Sequence, residues 1–81
     1  MIAEFKHYKS SKPIPNVWRN VVIKLVNERN NKQFSQEELA DRIGVHSSLV
    51  HKWEQYKRVP SCFLLSCWVE ALDCEIKIKS K

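Results

Sequence analysis

One glycine in 81 residues leaves no Gly-rich loop to cradle a nucleotide phosphate. Paired carboxylates and a nucleophile beside a base are equally missing, so nothing supports catalysis. No apolar run approaches the roughly 20 residues that a membrane span requires. The opening stretch MIAEFKHYKSSKP lacks the apolar core of a signal peptide. The expected location is therefore the cytoplasm, or the host cytoplasm for a viral chain, with no membrane partner. Cys62, Cys67 and Cys74 are odd in number, and in a reducing compartment they read as small buried hydrophobes. A zinc site needs a fourth ligand and usually a Cys-x-x-Cys spacing, and neither is present. No metal and no cofactor are expected. Internal repeats and low-complexity tracts are absent as well.

What the chain does hold is a 43% share of hydrophobic residues, enough for one small core and one domain. Fourteen Lys and Arg against nine Asp and Glu give a formal net charge of +5, which suits a polyanionic partner.

Residues 1–15 form a basic arm without a helical stripe, carrying Lys6, Lys9 and Lys12. Asn16 is placed to cap a first helix running to about Asn30, with Trp18, Val21, Val22, Leu25 and Val26 on its apolar face. NNKQ at 30–33 ends it. Pro60 stops a third helix and Ser61 caps a fourth, whose apolar face is Leu64, Leu65, Trp68 and Leu72. Residues 75–81 form a C-terminal strand or tail, because Glu75 to Lys79 alternates with period two. A lone strand leaves its backbone unpaired, so this one pairs with its twin in a second subunit or with Ile2–Phe5. The expected fold is all-α, with four to five helices in a compact domain over residues 16–74 and a short C-terminal β-strand.

The densest pattern is SQEELADRIGVHSSLVHKWEQYKRVPS at 35–61. Leu39 and Ile43 lie four apart on a second helix at about 36–43, while Val50 and Trp53 lie three apart on a third at about 47–55. Those two faces must pack. Ala40 is small where the helices cross, Val45 completes the inward set, and Gly44 turns the corner in a left-handed conformation. Ser35 with Glu38 makes a capping box. Together these residues describe a helix-turn-helix.

On SQEELADRIGV, VHKWE, the basic link KRVPS and the later EALD, the chain resembles the phage repressor and Cro superfamily of helix-turn-helix proteins over about 50 residues. That resemblance implies a lambda-repressor-like DNA-binding domain acting as a homodimer on a palindromic operator in double-stranded DNA, with the third helix in the major groove. Carried over by position, His46, Ser47, Ser48, His51 and Lys52 contact bases. Gln36, Gln55, Lys57 and Arg58 contact the backbone. Three departures from the family pattern stand out: Tyr56 where glycine is usual, His46 where Ser or Thr usually caps, and a longer turn before Phe34.

The implied function is a sequence-specific transcriptional regulator, a repressor of phage or antitoxin type, dimerising through the C-terminal strand. The alternative is a protein-interaction module on the same fold, meeting RNA polymerase or a partner protein, for which Glu37, Glu38 and Asp41 offer an acidic patch. Trp18, Trp53 and Trp68 read as core. Taken alone, the polar side of the third helix is a solvated face; the surrounding motif is what turns it toward DNA.

Overall fold

The computed structural model describes residues 14–78 and 80. Four helices follow one another there: α1 (Asn16–Asn31), α2 (Gln36–Ile43), α3 (Ser47–Glu54) and α4 (Cys62–Ala71). No strand is present among the described residues, and none of these helices is long and apolar enough to cross a membrane.

Apolar spacing decides which side of each helix turns inward. The core consists of Val22 and Leu25 of α1, Leu39 and Ala40 of α2, Val50 and Trp53 of α3, and Trp68, Val69 and Leu72 from α4 and its end. Trp18, Val21, Val26, Ile43, Val45, Leu64 and Leu65 pack against it, half-buried. Trp53 and Trp68 stack with ring centroids 5.2 Å apart and planes 27° from parallel, locking α3 onto α4. Helix α2 packs on both α3 and α4, and α1 packs on α3, so α3 is held from two sides.

All four helices end alike. Gln33 (φ 62°), Gly44 (φ 92°), Tyr56 (φ 63°) and Asp73 (φ 59°) take the left-handed conformation just past each helix. The next N–H then reaches back five residues: Phe34 to the Arg29 carbonyl, Val45 to Ala40, Lys57 to Lys52 and Cys74 to Val69. This Schellman closure satisfies carbonyls that a helix end leaves unpaired, and only one of the four positions holds the residue best suited to it. At Tyr56 the chain thus leaves α3 in the left-handed conformation that glycine adopts more easily.

Several expectations need correction. Asn16 is the first residue of α1 rather than its cap; Pro15 occupies the cap without a side-chain hydrogen bond. Its carbonyl accepts from the Arg19 N–H at 3.1 Å. Cys62 is exposed, and Cys67 and Cys74 are only half-buried. The expected C-terminal strand is absent from residues 74–78. A strand exists by sharing its hydrogen bonds with a neighbour, and Ile76 and Ile78 stand 55% and 92% exposed with no such neighbour among the described residues. The arm over 1–13, including Lys6, Lys9, Lys12 and the Ile2–Phe5 pairing, lies outside the described residues, as does Lys79.

Candidate nucleic-acid interface

The turn between α2 and α3 is fixed by local chemistry. Ser35 Oγ accepts from the Glu38 N–H at 3.0 Å while a Glu38 carboxylate oxygen accepts from the Ser35 N–H at 2.8 Å. Each satisfies a donor that the helix start would otherwise orphan. At the other end, the Gly44 N–H reaches the Ala40 carbonyl at 2.8 Å. Helix α3 then begins at Ser47, with His46 as its cap residue. The His46 side chain makes no capping bond; its Nδ1 stands 3.4 Å from Ser48 Oγ.

Because Val50 and Trp53 point into the core, the opposite side of α3 faces outward. His46, Ser48, His51 and Lys52 are exposed and Ser47 is half-buried. Gln55, Lys57 and Arg58 are exposed where the chain leaves the helix. Lys57 and Arg58 are fastened there, since both N–H groups reach the Lys52 carbonyl, at 2.9 and 3.3 Å. Ser35, Gln36, Glu37, Ser47, Ser48 and His51 line an open groove between the start of α2 and the start of α3. The structure therefore brings the start of α2 and the start of α3 together along one groove, with the exposed basic link following at the other end of α3.

Beside this groove, which Arg29 also lines, runs a network that residue spacing does not reveal. Arg29, in the last turn of α1, donates from Nε to Glu54 Oε2 at 2.7 Å and from Nη2 to Glu54 Oε1 at 3.0 Å. Its Nη1 donates to the Phe34 carbonyl at 2.8 Å. Gln36 Nε2 donates to Glu54 Oε1 at 2.9 Å. One carboxylate thus ties the end of α1, the start of α2 and the end of α3. The two charged side chains are only 13% and 6% exposed, where the bidentate guanidinium–carboxylate geometry is directional and each charge depends on the other for compensation.

Gln36 is drawn into this network by one amide hydrogen. Its second N–H and its carbonyl oxygen remain for another partner, at a helix start where backbone N–H groups favour anions. The pairing of Arg29 with Glu54 is what sequence reasoning missed: Glu54 closes the VHKWE stretch, but its partner lies 25 positions away, outside any local pattern.

A family model described as Helix-turn-helix matches residues 25–78, more than half of the chain, from the second half of α1 through the segment that follows α4. Compared with curated proteins and with solved structures, the chain finds no match.

Proposed function

The chain belongs to the phage repressor and Cro type of helix-turn-helix family, a family of DNA-binding transcription regulators, and from that premise we propose that it is a sequence-specific repressor. It binds double-stranded DNA as a homodimer and inserts α3 into the major groove. The observation that carries this reading is the polar, outward side of α3, held in place by the Arg29–Glu54–Gln36 network.

A major groove about 12 Å wide admits an α-helix. Lys52 donates to guanine O6 and N7, while the hydroxyls of Ser47 and Ser48 donate to or accept from several base edges. His46 and His51 flank them. Gln36, at the start of α2, and Gln55, Lys57 and Arg58, at the end of α3, take the phosphates on either side. Phosphate contacts set register and carry most of the salt-dependent affinity; the base contacts discriminate.

A homodimer puts two recognition helices about 34–36 Å apart, so the operator is a palindrome with half-sites one helical turn apart. The subunits join through residues 75–79, where Ile76 and Ile78 project into solvent. Occupying such a site within a promoter excludes polymerase, which is how a domain of this kind represses in a phage or as an antitoxin.

Titrating the protein against a labelled duplex in excess bulk competitor, alongside capture assays with RNA polymerase, tests the reading. Salt-sensitive retention of one DNA sequence over competitor supports it. Tight capture of polymerase, with DNA affinity no better than that of any basic protein, transfers the assignment to a protein-interaction module using Glu37, Glu38 and Asp41.

A further inference from the structure

Arg19 lies on the exposed side of α1, far in sequence from the helix-turn-helix. Its guanidinium carbon stands 5.1 Å from the centre of the Tyr56 ring. Tyr56 is the residue that closes α3 in the left-handed conformation, at φ 63°. A tyrosine there is strained relative to glycine, and the ring it supplies is what meets Arg19.

A cation held over an aromatic face in this way is attracted by the ring without using up its N–H donors, of which a guanidinium has five. Among the described residues Arg19 takes part in no ion pair. The next two residues after Tyr56 are Lys57 and Arg58, both exposed and both anchored to the Lys52 carbonyl. Arg19 thus meets the residue that immediately precedes Lys57 and Arg58, and no carboxylate is paired to any of the three among the described residues. Unpaired cationic residues on and beside one helix exit fit a polyanion, and a guanidinium matches a phosphate bidentately.

We propose that Arg19, oriented by the Tyr56 ring, is a further DNA-phosphate contact that extends the Lys57–Arg58 site onto α1. It rests on the DNA-binding reading above and adds to it a residue outside the helix-turn-helix. Tyr56 acts through Arg19 and is a positioning residue. Its ring replaces the conformational ease of glycine with a platform for the cation.

The test is a salt titration of binding to a mixed-sequence B-form duplex by the wild-type chain, Arg19→Ala, Tyr56→Phe, Tyr56→Gly and the Arg19→Ala/Tyr56→Gly pair, each first checked by circular dichroism for its helices. Arg19→Ala is expected to flatten the slope of log K against log salt by about 0.9 per bound chain. Tyr56→Phe keeps the ring and the wild-type behaviour. Tyr56→Gly, folded and relieved of its strained backbone, binds more weakly, and the double variant binds no more weakly than Arg19→Ala alone, as expected of two residues acting through one contact. A wild-type slope in Arg19→Ala, or losses that add in the double variant, overturns the proposal. Failure of the regulator reading is separately visible: the wild-type chain then selects no sequence from a random pool, while the slope on the mixed duplex still reports whether Arg19 meets phosphate.

Discussion

Arg29 grips both carboxylate oxygens of Glu54, at 2.7 and 3.0 Å, across 25 residues of chain. The pair closes α1 against α3, and Glu54 Oε1 also accepts from Gln36 at the start of α2. Because both side chains are largely withdrawn from water, removing either one strands the other's charge. Arg29→Ala or Glu54→Ala is expected to cost about 3–5 kcal/mol, whereas replacing both with apolar residues of similar volume costs much less. Urea unfolding of the two single variants and an Arg29→Met/Glu54→Leu pair measures this; equal losses in all three contradict it.

The helix ends give a prediction of opposite sign at two positions. Nothing lies within 4 Å of a Cβ built on Gly44, so its φ of 92° is the whole obstacle to a side chain. Gly44→Ala is expected to destabilise by about 1–2 kcal/mol, and Gly44→Asn by less, since asparagine visits this region more readily. Gln33, exposed and at φ 62°, is relieved by glycine, so Gln33→Gly stabilises by up to about 1 kcal/mol. Thermal melts of the three variants decide the signs.

Lys57 and Arg58 face solvent on the link after α3 and meet phosphate in the proposed complex. Neutralising either one flattens the slope of log K against log salt by about 0.9 per bound chain, because one phosphate keeps its counterions, and it weakens all sequences alike. A change in which sequence is preferred, measured by competition between duplexes, assigns them to bases instead.

Ile76 and Ile78 expose apolar surface that a second subunit covers in the proposed dimer. Ile76→Asp/Ile78→Asp is expected to leave the helical circular dichroism intact and turn a dimer into a monomer in sedimentation equilibrium. A wild-type chain that sediments as a monomer at every concentration rejects dimerisation through this segment.

The helix-turn-helix was legible because its determinants are local. Ser35 and Glu38 are three residues apart, Leu39 and Ile43 share a face, and Gly44 carries its own conformational signal. Other features had no local signature. Gln33, Tyr56 and Asp73 adopt left-handed conformations under pressure from helix closure, not from their own preference. Val69 joins the core outside the expected stripe because α4, reading CFLLSCWVEA, is apolar on most sides and its period discriminates poorly. The pairing of Arg29 with Glu54 depends on how α1 crosses α3, which no spacing encodes. The Glu75–Lys79 alternation describes what a partner strand requires, and a single chain supplies no such partner among its described residues. At the interface, the order of polar residues on α3 was readable, and the network beside it was not.

Selecting bound duplexes from a random pool with the wild-type chain and with Lys52→Ala, then aligning the sequences, tests most directly whether the outer face of α3 reads bases. The account predicts a palindromic consensus for the wild type, its half-sites one helical turn apart, and relaxed preference at one guanine-bearing position in each half-site for Lys52→Ala, corresponding to a loss of about 1–3 kcal/mol of discrimination there. An identical consensus from both proteins, or no enrichment by the wild type, contradicts it.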